Sequence, residues 1–437
     1  MPEKINQIKK VHIISLGCVK NTVDSEIIAG GLERAQMLLV DEPETADTII
    51  INTCGFIGPA RQESVDVILE TAELKKTGQL KDLLVAGCLS ARYMDELRVE
   101  LPEVDAFFKT EDFENIFCHV AHRKHLADDP EHLRKLMTPR HYAYLKISEG
   151  CDNVCSFCSI PIMRGKQRSR TIESLVEEAK SLAKRGVKEL MVIGQDTTTY
   201  GWDLQPKAYL HDLLAALDEV DGLEWIRLHY AHPSHFSRKL IPVFANAKRL
   251  VPYIDMPVQH GSTKMLTAMK RGLDNTGLRR LILDIKAGIP DVRLRTSLVV
   301  GFPGETDEDF DTLMDFLEEV QFDRVGVFTY SEEEGTTGAE LKDDVPEDVK
   351  IQRQDAIMNL QHQIAQEKNE SLIGQTFKVM IDHPDMEQPG VFVGRTQWDA
   401  PEIDNLVFVE GKAAVGEFCE VKIHSAGPYE LYGDMVL

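Results

Sequence analysis

Three cysteines in the middle of the sequence have the type and spacing of metal ligands. Cys151, Cys155 and Cys158, called here the central trio, are four and three residues apart and follow the apolar run 144–147. Three thiolates cannot all pair as disulfides, and zinc would need a fourth ligand, which no nearby His or Cys supplies. Soft thiolates suit an iron–sulfur cluster, and a cubane held by three cysteines keeps one iron open. The spacing therefore predicts such a cluster, with a structural zinc knuckle as the alternative.

A second set of three cysteines is spread over the first ninety residues. Cys18, Cys54 and Cys88, called here the N-terminal trio, each follow a short apolar run. If these runs are parallel strands, their carboxyl ends lie at one edge of a sheet, where ligands gather. We therefore predict a second three-thiolate cluster site with an open iron. The alternative is three buried small apolar side chains, and ordinary packing is the simplest interpretation of the remaining Cys118 and Cys419.

The alternation of apolar runs with helical patterns predicts a parallel α/β domain over residues 8–125. The expected strands are 11–16, 48–52 and 83–86. The expected helices are 24–38, 59–74 and a third from Ala91, and Asp24 or Ser25 is the expected N-cap of the first. This order would bring the N-terminal trio to one edge of the sheet.

The same alternation resumes after a charged, proline-containing linker at 126–141. Six strands are expected, at 144–148, 188–193, 224–229, 253–258, 292–300 and 323–329. Helices are expected between them, at 171–185, 206–219, 236–247, 276–287 and 306–319. Six βα units predict an open, TIM-like partial barrel, (β/α)6, over residues 137–368, with its chemistry at the carboxyl-end loops.

The pattern of short apolar runs in the last part of the chain predicts a small antiparallel β-barrel over residues 370–437. A long polar helix, 347–372, leads to five short β-runs separated by turn residues, at 377–381, 390–394, 405–409, 417–423 and 430–433. From residue 373 onward there are eleven acidic and four basic residues, a formal charge of −7. This charge favours a cationic partner, and improved solubility is the alternative explanation.

The whole chain of 437 residues is acidic, with a formal net charge of −23. Phosphate backbones repel such a chain unless a local basic patch overrides the repulsion, so we expect a basic protein partner. Eight cysteines in a chain of this size indicate metal ligands and thiols in a reducing compartment, most simply the cytoplasm. No apolar run is long enough to span a bilayer, and the first residues lack the apolar segment of a signal peptide.

Several motifs together resemble the methylthiotransferases of the radical S-adenosylmethionine (SAM) family. They are Gly-Cys-Val-Lys-Asn-Thr-Val-Asp-Ser-Glu at 17–26, Asn-Thr-Cys-Gly at 52–55, Ala-Gly-Cys-Leu at 86–89 and the central trio with Phe157 before its last cysteine. The likeness covers nearly the whole chain. Val19 stands where the family usually has proline, which leaves the ligand Cys18 untouched. The segments 330–336 and 399–404 and the acidic barrel are most similar to the branch that modifies ribosomal protein S-twelve.

The resemblance implies a sulfur-group transferase with two [4Fe-4S] clusters and SAM as cofactors. The cluster on the central trio would cleave SAM, and the resulting radical would take hydrogen from the β-carbon of an aspartate in S-twelve. The cluster on the N-terminal trio would present a methylated sulfur for carbon–sulfur bond formation. An unactivated C–H bond has no useful acidity, so a side-chain base cannot replace this radical chemistry.

The resemblance also implies where SAM binds. The loops after the strands of the partial barrel, together with the aromatic ring before the last cysteine, would supply the contacts: Phe157, Gly194, Gln195, Asp196, Gln259, Gly301 and Glu305. Gly301 and Gly304 would let the backbone approach a bound adenosine closely. Taken singly, each of these loops is also an ordinary turn, so the prediction depends on their shared location.

The implied partners are ribosomal protein S-twelve, free or within the assembled small subunit, and a protein that supplies electrons, with no membrane. We expect charge reversal at Asp399, Glu402 and Asp404 to weaken binding to this basic protein. Two other functions fit parts of the sequence: a tRNA adenosine methylthiotransferase with the same chemistry, and a non-enzymatic iron–sulfur carrier or electron-transfer protein.

Overall fold

The computed structural model describes residues 9–76, 78, 80–122 and 134–436. Contacts divide the chain into two compact units. The first unit comprises Met1–Thr138, Glu149–Asp152 and Ser159–Lys166, and the second comprises Pro139–Ser148, Asn153–Cys158 and Gln167–Leu437. The predicted segment 137–368 is therefore divided between the two units, and the segment of the predicted small β-barrel, 370–437, belongs to the second. The predicted boundaries at 8, 125 and 437 and part of the linker 126–141 fall outside the described residues.

A parallel sheet of five strands forms the centre of the first unit. Its order is β2-β1-β3-β4-β5, and every neighbouring pair is parallel. The strands are β1 (Lys10–Ser15), β2 (Leu38–Leu39), β3 (Thr48–Thr53), β4 (Asp82–Gly87) and β5 (Ala106–Phe107). All six residues of β3 are buried, as expected for a central strand that helices cover on both faces. The predicted parallel α/β fold is confirmed.

Two helices of the first unit begin earlier than the sequence pattern indicates. The helices are α1 (Val19–Arg34), α2 (Gly58–Lys76), α3 (Cys88–Glu100), α4 (Phe113–Ala121) and α5 (Ile160–Arg164). The predicted starts at Asp24 and Ala91 are both wrong, because α1 starts directly after Cys18 and α3 starts at Cys88. Two cysteines of the N-terminal trio therefore lie at the amino end of a helix.

The misplaced start of α1 has a physical explanation. Asp24 and Ser25 have the residue types of N-caps, but both are buried inside the helix. Asp24 accepts a hydrogen bond from Arg164 Nη1 at 3.2 Å, and Ser25 Oγ donates to Ser15 Oγ at 2.9 Å. These side chains satisfy polar groups inside the unit instead of capping a helix.

A parallel sheet of six strands forms the centre of the second unit. Its order is β13-β12-β11-β10-β9-β6, so the strands follow chain order, and the sheet stays open. They are β6 (Tyr142–Lys146), β9 (Glu189–Ile193), β10 (Trp225–Leu228), β11 (Leu250–Asp255), β12 (Arg293–Val300) and β13 (Arg324–Thr329). Two short strands, β7 (Ser148–Glu149) and β8 (Arg168–Ser169), lie before and after the central trio in the sequence. The predicted open partial barrel is confirmed.

Helices follow most strands of this sheet. They are α6 (Ile172–Lys184), α7 (Leu210–Asp218), α8 (Leu240–Asn246), α9 (Thr263–Ala268), α10 (Asn275–Gly288), α11 (Asp307–Val320) and α12 (Glu347–Glu370). Thr306 and Asp309 form a capping box that fixes the start of α11, where the sequence predicts it. Among the helices of the described residues, none has both the length and the apolar content needed to cross a membrane.

The last five strands of the second unit form a closed barrel. They are β14 (Thr376–Pro384), β15 (Val391–Thr396), β16 (Leu406–Glu410), β17 (Phe418–Ala426) and β18 (Glu430–Met435), in the order β14-β15-β16-β18-β17. Four neighbouring pairs are antiparallel, whereas β16 and β18 are parallel. The predicted barrel is confirmed, and its parallel pair arises because β18 inserts between β16 and β17.

Buried ion pairs connect the barrel to the sheet within the second unit. Glu189 of β9 lies between Arg227 of β10 and Arg395 of β15, at 2.8 Å from each guanidinium. Arg395 also pairs with Asp382 of β14 at 2.7 Å. Burial opposes ionisation of Glu189, but the two arginines prevail and lower its pKa. Buried ion pairs between side chains of the sheet and side chains of the barrel therefore hold the barrel against the sheet.

Candidate iron–sulfur and SAM site

The N-terminal trio converges at the carboxyl ends of three adjacent strands. Cys18, Cys54 and Cys88 follow β1, β3 and β4, which are neighbours in the sheet. A Cβ atom at Gly17 would lie 2.6 Å from Cys54 Cβ, and one at Gly55 would lie 2.8 Å from the carbonyl carbon of Cys88. Both positions require glycine, because a side chain at Gly17 would collide with Cys54 and one at Gly55 would collide with the backbone of Cys88.

One amide side chain holds these strand ends together. Asn21 Nδ2 donates to the carbonyl oxygens of Leu16 and Thr53, both at 2.9 Å, and Asn21 Oδ1 lies 3.9 Å from Cys88 Sγ. Asn52 Nδ2 in turn donates to the Asn21 carbonyl at 2.9 Å. A residue three positions after Cys18 therefore contacts the strand ends that bear Cys18 and Cys54, and also the Cys88 thiol.

A buried cation lies beside the trio. Arg164 is 4% exposed, and its guanidinium donates to Asn21 Oδ1 at 2.5 Å and to both oxygens of Glu149 at 3.0 Å. Burial raises the pKa of the Cys88 thiol to about 11, and the positive charge of Arg164 acts in the opposite direction. Burial likewise raises the pKa of Cys54. Metal binding would deprotonate these thiols outright, so the site is suited to a ligand that carries its own positive charge.

The sulfur atoms of the N-terminal trio are not as close together as the ligands of a single zinc ion. Sulfurs bound to one zinc at about 2.3 Å lie only about 3.8 Å apart. Within the described residues, only Asp196, His232 and His235 form a group with all ligand atoms within 4.8 Å of one another. The three sulfurs of the N-terminal trio therefore do not all lie within 4.8 Å of one another.

The central trio lies on the segment that both units share. Cys151 is buried, and its N–H donates to the Gly165 carbonyl at 3.0 Å. Cys155 and Cys158 are half-buried, and the Cys158 N–H donates to the Cys155 carbonyl at 3.2 Å. Phe157 packs in an apolar cluster of the second unit with Met265, Met269, Phe302 and Tyr330. The ring before the last cysteine thus anchors this segment in the second unit.

Two nitrogen donors point at the Cys155 sulfur. Arg271 Nη1 lies 3.1 Å from Cys155 Sγ, and His232 Nε2 lies 3.9 Å from it. His232 Nδ1 accepts from the Ser234 N–H at 3.3 Å, so Nε2 carries the ring proton of the neutral imidazole. Burial and the charge of Arg271 lower the pKa of His232. Both contacts suit a sulfur that carries negative charge.

Asp196 is the centre of a second polar network in this unit. Its Oδ2 accepts from Asn153 Nδ2 at 2.8 Å and lies 2.9 Å from His235 Nδ1, while its Oδ1 accepts from the Thr198 N–H at 2.9 Å. Burial opposes ionisation, but the bonds from His235, Thr198 and Asn153 prevail and lower the pKa of Asp196. The carboxylate is therefore held ionised and in a fixed position, three residues after the end of β9.

The other predicted SAM contacts lie at strand ends of the same sheet. Gly194 and Gln195 follow β9, Gln259 follows β11 with a φ of +74°, and Gly301 follows β12 with a φ of +73°. Glu305 accepts from the Gly301 N–H at 2.7 Å and from Arg353 at 2.9 Å. Because its side chain is fully buried and both its oxygens have protein donors, Glu305 fixes the Gly301 turn, and its carboxylate is not free to contact SAM.

Of the two glycines expected to let the backbone approach a ligand, Gly301 differs from the expectation and Gly304 agrees with it. A Cβ atom at Gly301 would collide with the side chain of Lys350, so this glycine is required by protein packing. A Cβ atom at Gly304 would meet no atom within 4 Å. Only Gly304 therefore has the open space that close approach of a ligand would need.

The predicted acidic contact residues of the barrel are mostly not at the surface. Asp399 and Asp404 have buried side chains, and they face Arg324 at 2.6 Å and Arg295 at 3.5 Å, respectively. Only Glu402 is exposed. The interpretation of all three as surface contacts is wrong for the two aspartates, because the charge of each is compensated inside the second unit.

Sequence reasoning missed several residues of the site: Asn21, Asn153, Arg164, His232, His235 and Arg271. The His-Tyr-Ala-His-Pro loop at 229–233 signalled His232, because it follows a predicted strand. Asn21 stands within the motif at 17–26 that carries the family resemblance. For Arg164 and Arg271 no spacing pattern links them to the cysteines, so only the fold reveals them.

Family models match three successive parts of the chain. The family described as Uncharacterized protein family UPF0004 matches residues 10–109, the Radical SAM superfamily matches 145–317, and the TRAM domain matches 373–436. Solved radical SAM structures share the fold at low sequence identity. The methyltransferase TsrM from Kitasatospora setae has a TM-score of 0.55 at 16% identity, covering 73% of this chain and 72% of its own. The cobalamin-dependent enzyme OxsB has a TM-score of 0.53 at 13% identity, covering 76% and 55%.

Curated relatives match over the full length. The ribosomal protein uS12 methylthiotransferase RimO of Cytophaga hutchinsonii is 45% identical and covers 100% of both chains. RimO of Clostridioides difficile is 46% identical over 98% of this chain and 99% of its own. RimO of Myxococcus xanthus is 46% identical over 98% and 92%. The chain belongs to the family of ribosomal protein uS12 methylthiotransferases RimO, within the radical SAM superfamily.

Proposed function

We propose that this chain adds a methylthio group to the β-carbon of an aspartate in ribosomal protein uS12, using SAM and two [4Fe-4S] clusters. The observation that carries the proposal is the convergence of the N-terminal trio at three adjacent strand ends, in a chain that also has the central trio. The matching relatives, 45–46% identical over nearly the whole chain, support the choice of uS12. A uS12 substrate also favours a cytoplasmic location and a protein electron donor.

Each part of the protein has a distinct task in this proposal. When bound, the clusters supply the electron that cleaves SAM and the sulfur that is transferred. The central trio would hold its cluster through three thiolates. The loops with Gly194, Gln195, Asp196, Gln259 and Gly301, together with Phe157, would line the SAM site. The protein contributes binding, orientation and exclusion of water, because radical chemistry needs no side-chain base.

Anaerobic reconstitution followed by an assay with SAM, a reductant and uS12 tests this function. We expect about eight irons per chain, as two cubanes require, release of 5′-deoxyadenosine, and replacement of a hydrogen by SCH3 on one aspartate, read by mass spectrometry of uS12 peptides. Product on tRNA instead of uS12 would contradict the substrate assignment. Bound iron without reductive cleavage of SAM would contradict the enzymatic function itself.

The outer face of the barrel offers a docking surface for a basic protein. Glu410 and Asp434 lie directly opposite each other in the β16–β18 pair, and both are exposed. Exposed Glu420 lies on β17, the other neighbour of β18. Like charges directly opposite each other in a sheet are unfavourable. Lys422 of β17 lies directly opposite Asp434 and balances only one of these three acidic side chains, so the face keeps an excess of negative charge. We therefore assign Glu410 and Asp434 to the recognition of Lys and Arg side chains of uS12.

Reversing both charges, Glu410→Lys with Asp434→Lys, should weaken binding of uS12 by on the order of tenfold at low salt, because exposed ion pairs contribute modestly each. The measurement is the Kd by fluorescence anisotropy at two salt concentrations. The matched control is Glu96→Lys with Glu100→Lys, which changes the net charge equally on exposed positions of α3. Equal weakening by both double variants would indicate a general charge effect and contradict docking on this face.

A further inference from the structure

Arg271 of the second unit is a buried cation with an unusual set of partners. It is 4% exposed, its Nη2 donates to the Pro257 carbonyl at 2.6 Å, and its Nη1 donates to Cys155 Sγ at 3.1 Å. Its Nε is buried and has no hydrogen-bond partner in the structure. Within the described part of the chain, no carboxylate forms an ion pair with this guanidinium.

Other buried arginines of the protein differ in this respect. Each of them forms an ion pair with at least one carboxylate at 2.8–3.2 Å: Arg164, Arg227, Arg353 and Arg395. A guanidinium stays protonated in proteins, so burial cannot be relieved by loss of its proton. An uncompensated buried charge is unfavourable by several kcal/mol. Within the described residues, no side-chain carboxylate neutralises Arg271, and the ionisable atom to which its guanidinium donates is the Cys155 sulfur.

We propose that Arg271 is the counter-charge of the Cys155 thiolate in the cluster-bound protein, and that it raises the reduction potential of the cluster on the central trio. The proposal rests on the cluster assignment made above, but not on the identity of the substrate. A thiol sulfur is a weak hydrogen-bond acceptor, whereas a thiolate sulfur accepts a charge-assisted hydrogen bond from a guanidinium. Hydrogen bonds and positive charge at cluster sulfurs favour the reduced state, which is the more negative one.

His232 is a second nitrogen donor at the same sulfur. Its Nε2 lies 3.9 Å from Cys155 Sγ, and the ring is held by Ser234, whose Oγ lies 2.9 Å from Nδ1. Arg271 lies closer to the sulfur than His232 does, at 3.1 Å against 3.9 Å. Arg271 is thus a positioning and tuning residue of the cluster, and it makes reduction, the step that precedes SAM cleavage, easier.

The test compares Arg271→Met, Arg271→Gln and Arg271→Lys in the full-length chain. The background carries Cys18→Ala, Cys54→Ala and Cys88→Ala, so that potentiometric titration followed by electron paramagnetic resonance reports one cluster. We expect Met and Gln to shift the midpoint potential to more negative values, and Lys, which keeps the charge, to shift it less. Arg238→Gln, which removes an exposed charge of the same unit, should leave the potential unchanged.

A second measurement separates a counter-charge from a structural anchor. In the iron-free protein, Arg271→Met should unfold at the same temperature as the parent or higher, because it removes an uncompensated buried charge. With the cluster bound, the same variant should unfold at a lower temperature than the parent. An unshifted potential in a fully loaded Met variant would overturn the proposal, and so would equal destabilisation with and without iron. Failure of the parent itself to assemble a cluster would instead contradict the proposed function.

Discussion

Replacement of Cys18, Cys54 and Cys88 by alanine is expected to abolish methylthio transfer while reductive cleavage of SAM continues. The N-terminal trio follows β1, β3 and β4 and is separate in sequence from the central trio. Replacing its three cysteines therefore leaves the ligands of the other cluster in place. Bound iron should fall from about eight to about four per chain. Release of 5′-deoxyadenosine, measured by chromatography, should persist, and modified uS12 should fall below detection.

The remaining cysteines provide the matched controls for this experiment. Cys118→Ala and Cys419→Ala remove half-buried free thiols outside both trios, and we expect full iron content and full product. Alanine at all three positions of the central trio should instead abolish both 5′-deoxyadenosine and product. The division of roles would be refuted if the N-terminal variant still formed product, or if it lost SAM cleavage while keeping four irons.

Reversing the charge of Asp399 is expected to destabilise the protein and not merely weaken a surface contact. The side chain of Asp399 is 2% exposed, its Oδ1 accepts from Arg324 at 2.6 Å, and its Oδ2 accepts from Thr396 at 2.6 Å. Asp399→Lys would place a second cation against Arg324 in the interior. Removing one partner of a buried ion pair lowers the free energy of unfolding by about 3–5 kcal/mol. A urea denaturation curve followed by circular dichroism measures this loss.

Glu402→Lys is the control for Asp399→Lys, because it makes the same charge change three residues away. Glu402 is exposed and accepts one long hydrogen bond, from Tyr142 Oη at 3.2 Å. The stability of this variant should stay within about 0.5 kcal/mol of the parent, as is usual for surface substitutions. A similar loss of unfolding free energy in both variants would contradict a stabilising buried ion pair between Asp399 and Arg324.

Much of the architecture could be predicted from the sequence, because the apolar runs and the helical patterns have the expected periods. The six strands of the open sheet and the five of the barrel lie within a few residues of their predicted positions. The helix starts at Val19 and Cys88 could not be predicted, because the cap-like Asp24 and Ser25 bond to Arg164 and Ser15 inside the unit. The residue types that favour an N-cap do not predict a helix start where a partner distant in sequence bonds to the same side chain.

The sequence by itself was enough to predict which atoms do the chemistry: the central trio by its spacing, and the N-terminal trio by its place after three apolar runs. Only the tertiary structure decided which charges act on those sulfurs and which charges are available to a partner. Arg164 and Arg271 lie far in sequence from Cys88 and Cys155, and Asp399 meets Arg324 from 75 residues away. The physical reason is that burial and charge compensation depend on distance in space, which the order of residues along the chain does not specify.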